Sequence, residues 1–199
     1  MGPRPGYCSR MEQRSLRVIY NPTAAQGAAE ALIPGVEHML EETGVEFDLV
    51  RTEYHGHAIA LARRAAEDAP YAVIAGGGDG TAGEVLNGLM QAKSVGLEIP
   101  AMGILPVGRG NDFAYGAGFP RNLKEAVETV ARGTPRPFDA GHVKGGDFPD
   151  GRYFGNGIGI GFDTIVGFEA AKMVRLKGFS AYIAGAIRTI SRFYDAPLV

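Results

Sequence analysis

The sequence predicts an α/β fold, an open and mostly parallel sheet with flanking helices, followed by an incomplete second, β-rich domain. Three observations carry that prediction. Short β-rich apolar runs alternate with helix-period segments from Leu16 to Val143, the order that builds parallel sheets. Two glycine-rich stretches, one from Gly76 to Thr81 and one from Pro106 to Gly118, each follow directly on a strand-type run, where ligands of such sheets bind. Beyond Val143 the alternation gives way to a polar turn with Gly145, Gly146 and Gly151, one more strand-like run and two helical segments. The expected division is a leader over 1–15, an α/β domain over 16–140 and the beginning of a second domain over 141–199.

Leu16–Tyr20 is a short β-rich run stopped by Asn21-Pro22, a turn pair. Ala28–Thr43 has Leu32, Val36, Met39 and Leu40 at helical spacing, and Gly44 stops it; Pro34 and Gly35 are placed to kink it or delay its start. Phe47–Thr52 predicts a second strand and His57–Asp68 an alanine-rich helix. Tyr71–Ala75 is a buried-type strand that runs into the first glycine loop, after which Thr81–Gln91 predicts a helix. Ala101–Leu105 is a strand, and Pro106–Gly118 a loop. Asn122 with Glu125 three residues on is a capping pair for a helix through Ala131. Phe138–Val143 is a strand, Lys144–Arg152 a polar turn and Tyr153–Ile160 strand-like. Thr164–Arg175 and Phe179–Tyr194 are helical, the latter with Ile183, Ile187 and Ile190 on one stripe. No internal repeat and no long linker are visible.

The chain has 199 residues, 45% of them hydrophobic, which supplies one sizeable core. Its 20 basic and 22 acidic side chains leave a net charge of −2, against a nucleic-acid partner, which calls for a basic face. The single cysteine, Cys8, excludes an internal disulfide and makes a reduced, cytoplasmic setting the default. No stretch reaches the roughly 18 apolar residues of a membrane span. Met1–Ser15 lacks the apolar core of a signal peptide and is expected to be a disordered leader, with Met11 an alternative start.

The run Gly76-Gly77-Gly78-Asp79-Gly80-Thr81 is suited to phosphate. Glycines let backbone N–H groups approach an anion, successive N–H groups form a nest, and the following helix adds the partial positive charge of its N-terminus. Thr81 adds a hydroxyl donor. Asp79 would repel phosphate, so its carboxylate suits facing Mg²⁺, or orienting or deprotonating an attacking hydroxyl. The loop lacks the Gly-Lys-Ser/Thr ending of a Walker A motif, and Asp79 and Thr81 break the dinucleotide pattern. His55 and His57 flank Gly56 with no further ligands at metal spacing, and are read as helix-start or surface residues.

Gly76–Leu89, GGGDGTAGEVLNGL, resembles the shared motif of diacylglycerol kinases, ceramide and sphingosine kinases and their bacterial relatives. Gly103–Ala114, GILPVGRGNDFA, resembles the family's second motif, and Val18–Ala24, VIYNPTA, its opening strand and Asn-Pro turn. Arg136–Val143, RPFDAGHV, and Tyr153–Gly161, YFGNGIGIG, are similar to its downstream strands in order and spacing. The resemblance covers the chain from Leu16 almost to its end. It implies a nucleotide-binding domain like that of NAD kinases and diacylglycerol kinases, and transfer of the γ-phosphoryl group of ATP, with Mg²⁺, to a lipid hydroxyl. Asn21, Pro22, Thr23, Ala24 and Ala25 would hold the nucleotide together with Gly76, Gly77, Gly78, Asp79, Gly80 and Thr81. Thr52 would lie near the nucleoside, Glu84 would have a supporting role, and Gly108, Arg109 and Asn111 would complete the nucleotide site. Asp79 and Asp112 are the expected catalytic residues, with Asn111 and Asp112 lining a cleft between domains.

The sequence departs from the family pattern at two points. Arg109 stands where the family usually has Thr or Ser, and either reinforces phosphate binding as a charged fork or crowds the pocket. The resembling enzymes also run on for roughly a hundred residues that complete a β-sandwich and carry an Asp-Gly-Glu motif thought to supply the general base. The chain is therefore expected to be truncated, leaving unpaired strand edges and exposed apolar surface over 141–199. Alternatives are an NAD kinase, whose Asn-Glu ribose pair this chain lacks, and a non-catalytic nucleotide-binding module. Lys172, Arg175, Lys177, Arg188 and Arg192 outnumber Glu169 and Asp195 near the C-terminus, so transient contact with an anionic membrane surface is weighed beside a merely solvated face. Oligomerisation is left open.

Overall fold

The computed structural model describes residues 14–157, 159, 162–172 and 179–192. Most of the expected leader, and the positions of Arg175 and Lys177, lie outside them. The chain forms two compact units, divided between Asn156 and Gly157.

In the first unit, β1 (Ser15–Tyr20), β2 (Glu46–Arg51), β3 (Ala72–Gly77) and β4 (Ala101–Pro106) form one parallel sheet in the order β2-β1-β3-β4. The alternation of strands with α1 (Ile33–Thr43), α2 (His57–Asp68) and α3 (Asp79–Ser94) produces it, because each of these helices crosses over to start the next parallel strand, and α5 (Leu123–Arg132) follows β4 and covers the sheet. One face packs Val18, Tyr20 and Ile74 with Val36 and Leu40 of α1 and Val127 of α5. The other packs Ile19, Val73 and Ala75 with Ala62 of α2 and Val85 and Leu89 of α3. Being covered on both sides, β3 is buried at every residue and reads as an unbroken apolar run, whereas edge strand β2 is half solvated. Helices α2 and α3 touch at Gly88, where a methyl group would run into the carbonyl oxygen of Ile59.

Four expectations are corrected. The helix placed at Ala28–Thr43 begins at Ile33: Pro34 sits in its first turn, where the missing N–H costs nothing, and 3-10 turns at Ala24–Gly27 and Glu30–Leu32 precede it. The loop at Pro106–Gly118 contains a short helix, α4 (Asp112–Gly116). The strand placed at Phe138–Val143 starts only at Gly141, as β5 (Gly141–Gly145), where the absent side chain makes room for the Phe154 ring. The polar turn at Lys144–Arg152 is mostly strand: β6 (Phe148–Phe154) returns antiparallel to β5 through a tight glycine turn, and its exposed first residues account for its polar sequence. A small antiparallel sheet thus follows residue 140, and it lies within the first compact unit, which runs to Asn156. Asn122 caps α5 as its spacing predicts, its Oδ1 accepting from the N–H groups of Lys124 and Glu125.

The second unit pairs α6 (Phe162–Ala171) with α7 (Phe179–Arg192). Gly185 of α7 rests against Val166 and Ala170 of α6, and buried Glu169 pairs with Lys172 Nζ at 2.8 Å and Arg188 Nε at 2.9 Å.

Candidate active site

Sheet order reverses between β1 and β3, so the chain leaves those two strands in opposite directions and opens a crevice at their carboxyl ends. A cleft of about 330 Å³ occupies that position and is lined by segments following all four strands.

After β1, Asn21 anchors the near wall. Its N–H donates to Gly76 O at 2.8 Å and its Nδ2 to Thr81 Oγ1 at 3.1 Å, which bridges the crevice. Its Oδ1 accepts from the backbone N–H and the hydroxyl of Thr23. Thr23, Ala24 and Ala25 line the cleft, and Pro22 does not. Ala25, Gln26 and Gly27 all have positive φ, a conformation that costs a non-glycine residue roughly 1–2 kcal/mol, so two residues of this turn are held under strain beside the cleft. Tyr20 supports the turn from below by donating its hydroxyl to Ala29 O at 2.9 Å. Burial, and secondarily the Glu30 carboxylate, push the Tyr20 pKa up to about 12.

After β3, Gly78, Gly80 and Thr81 line the cleft at the N-terminus of α3. The first backbone N–H groups of a helix have no partner within it, and here they carry the dipole of a 16-residue helix. Gly76 and Gly77 are the buried end of β3 and do not line the cleft: Gly76 makes room for the Tyr20 ring and Gly77 for the Thr81 side chain. After β4, Gly108 and Arg109 face the same space. A side chain on Gly108 would overlap Gly78 Cα, so the two glycines let the loops after β3 and β4 close on each other. Asn111, buried and at φ 61°, fixes that loop: its Oδ1 accepts from Gly108 N–H and its Nδ2 donates to Gly108 O, both at 2.9 Å. These are the Asx-type contacts of a loop turn.

Asp79 and Asp112 lie beside the cleft and do not line it. Oδ1 of Asp79 accepts from the Phe113 N–H at 2.7 Å, capping the first turn of α4, whose start therefore depends on a residue 34 positions earlier in the chain. Both carboxylates approach Gly110: a methyl there would stand 2.9 Å from Asp79 Oδ2 and 3.9 Å from Asp112 Oδ2. Among the described residues no group of three or more His, Cys, Asp or Glu side chains forms a metal site. Mg²⁺ commonly takes only one or two carboxylates, with phosphate oxygens and water completing its shell. Asp79 Oδ2 with Asp112 fits that donor set.

After β2, Thr52 lines the cleft as expected, and Glu53, Tyr54 and His55 join it. These three were not expected; the signal that finds them is their place at the carboxyl end of a strand, the rule that located the glycine loops. Glu84 of α3 is buried, not the solvated helix carboxylate it could have been. Its Oε1 accepts from Gly56 N–H at 3.0 Å and lies 3.1 Å from Nδ1 of the exposed His55. One turn on, Asn87 holds β6: it exchanges hydrogen bonds with the N–H and C=O of Tyr153, both at 2.9 Å. His57 starts α2, as its sequence position suggests.

Comparison with known proteins bears on the family and the fold. The family model described as the diacylglycerol kinase catalytic domain matches residues 15–143. A diacylglycerol kinase of Bacillus subtilis is 36% identical over 168 residues, which span 83% of this chain and 52% of the relative. One of Staphylococcus saprophyticus is 33% identical over 175 residues, 87% of this chain and 54% of the relative. The crystal structure of a diacylglycerol kinase from Bacillus anthracis superposes with a TM-score of 0.55 at 29% identity, covering 64% of this chain and 45% of the other. The chain thus spans about half the length of the curated relatives it matches. With four parallel strands, a glycine loop opening α3 and a family model matching residues 15–143, the chain belongs to the diacylglycerol kinase catalytic domain family.

Proposed function

We propose that this chain is the nucleotide-binding part of a lipid kinase that transfers the γ-phosphoryl group of ATP to the hydroxyl of diacylglycerol or a related lipid alcohol. The observation that carries the reading is the convergence on one cleft of the α3 N-terminus, the Asn21–Ala25 turn and Arg109, with Asp79 and Asp112 at its border. The N–H groups of the first turn of α3 would bind phosphate oxygens in place, and Asn21 would hold Thr81 toward them. Arg109, exposed at the rim, would add a charged fork. Asp79 and Asp112 would hold a Mg²⁺ ion that comes with the nucleotide, and it would neutralise charge developing between the β- and γ-phosphates. In the reaction the lipid hydroxyl oxygen would bond to the γ-phosphorus, the bond to the β-phosphate oxygen would break, and the hydroxyl proton would leave to solvent. The protein's share is positioning and charge stabilisation.

Thermal unfolding of the 199-residue chain with Mg·ATP tests the nucleotide site. A ligand at about 100 times its Kd adds about 2.7 kcal/mol, a rise of roughly 5–10 °C for a chain of this size. Asp79→Asn keeps an oxygen for the Phe113 N–H but removes the charge, so the rise should shrink by at least half. Cooperative unfolding that Mg·ATP leaves unmoved would defeat the proposal. Transfer of label from [γ-³²P]ATP to diacylglycerol in mixed micelles tests the lipid half.

A further inference from the structure

The cleft is a row of four strand ends. Adjacent strands are spaced by about 4.8 Å, so it extends about 14 Å from the β4 end to the β2 end. Under the nucleotide reading proposed above, on which this inference rests, the phosphates occupy the β3–β4 end, where α3 begins and Arg109 stands. The base then falls at the β2 end, over the segment 52–57.

That segment is unusually well fastened for a surface loop. Thr52 N–H donates to Tyr20 O at 2.8 Å, tying its start to the sheet. Glu53 N–H donates to His57 Nδ1 at 3.1 Å, which leaves Nε2 as the protonated nitrogen of the neutral ring, and His57 N–H donates to Tyr54 O at 3.1 Å. Gly56, at φ 87°, turns its N–H to Glu84, and His55 grips the same carboxylate oxygen. These contacts hold Tyr54 in a defined place. Its ring stacks on the His57 imidazole with centroids 4.5 Å apart and planes 7° from parallel, and the residue lines the cleft while 62% exposed. One face is backed by a second ring and the rest is open. Such a face stacks any planar heteroaromatic ring, and a bicyclic purine covers more of it than a pyrimidine does.

We infer that Tyr54, backed by His57, is the platform on which the base of the nucleotide stacks, and that this pair gives the site a preference for purine over pyrimidine triphosphates. Glu84, which also lines the cleft, positions this segment through Gly56 and His55.

The test is calorimetric titration of the 199-residue chain with the Mg²⁺ complexes of ATP, GTP, UTP and inorganic tripolyphosphate, repeated on Tyr54→Ala and Tyr54→Phe. Base–aromatic stacking of the usual strength predicts that Tyr54→Ala weakens ATP and GTP roughly 5- to 10-fold. The purine preference should collapse, tripolyphosphate should be unaffected, and Tyr54→Phe should behave as the wild type. Tyr54 is exposed, so the alanine variant should fold; its unfolding transition checks this. ATP binding unchanged in Tyr54→Ala, or tripolyphosphate weakened as much as ATP, overturns the platform while leaving the nucleotide site standing. No saturable ATP binding by the wild type overturns both.

Discussion

At the scale of single residues the site rests on side chains whose polar atoms are already committed. Asn21 uses its amide on Thr81 and Thr23, Asp79 spends Oδ1 on Phe113, and Tyr20 gives its hydroxyl to Ala29 beneath the turn. Tyr20 also carries a pH signal. Its pKa is raised from 10.0 to about 12, chiefly by burial and then by Glu30. The folded protein thus holds the phenolic proton more tightly than the unfolded chain. That contribution to stability is fully present below pH about 10 and is lost as pH rises through about 12. Denaturation midpoints measured across that interval should fall in the wild type and fall less steeply in Tyr20→Phe. Equal slopes would remove Tyr20 from the account. A difference spectrum between the two proteins isolates this phenol from the other seven of the eight tyrosines and should show it mostly un-ionised at pH about 11, midway in the interval.

At the scale of elements, α3 is the hub. Residues 79, 81, 84 and 87 run along its first half and bond four different segments: the start of α4, the turn after β1, the loop before α2 and strand β6. Asn87 is 6% exposed and meets both backbone groups of Tyr153. Asn87→Ala would leave the part-buried N–H and C=O of Tyr153 without these partners, at a cost of about 1–2 kcal/mol. The expected result is a lowered urea midpoint together with faster hydrogen exchange at the Tyr153 amide, while the amides of β3 retain their protection. A loss under about 0.5 kcal/mol with unchanged exchange would show that the clamp is incidental. The strands and long helices were legible because their signals are local. β3 is buried on both faces and reads as an apolar run, and Asn122 with Glu125 marks the start of α5 within four residues. What was not legible depends on distant partners. Helix α4 begins where it does because Asp79 caps it, β6 is polar because its hairpin stands exposed, and Tyr54 is placed by contacts with Tyr20, His57 and Glu84. That a glycine loop joins β3 to α3 was legible. That Gly76 and Gly77 serve packing, and that Gly78 and Gly80 face the cleft, was not, since only tertiary contacts separate the two pairs.

At the scale of the whole molecule, the site belongs to the first unit and the most conspicuous exposed apolar surface to the second. The stripe expected on α7 is present and faces out: Ile183, Ile187 and Ile190 are 45%, 63% and 65% exposed. Burying an isoleucine fully is worth about 1.5–3 kcal/mol, so a helix face carrying three of them gains by meeting any apolar surface, including its own copy. No helix among the described residues is long and apolar enough to cross a membrane. The stripe lies opposite the contacts that hold α7 to α6, since Gly185 and Thr189 are buried and Arg188 reaches Glu169. Replacing Ile187 and Ile190 together with lysine should therefore cost less than about 1 kcal/mol, the range of surface substitutions, and lysine near a helix C-terminus also suits the helix dipole. Light scattering and sedimentation velocity should show the wild type self-associating with rising concentration and the double variant remaining dispersed at the same thermal midpoint. A midpoint lowered by several degrees would mean that these isoleucines pack against part of the folded chain. Equal association of the two proteins would mean that the stripe does not drive it, and would turn attention to the exposed Phe162 and Phe168 of α6.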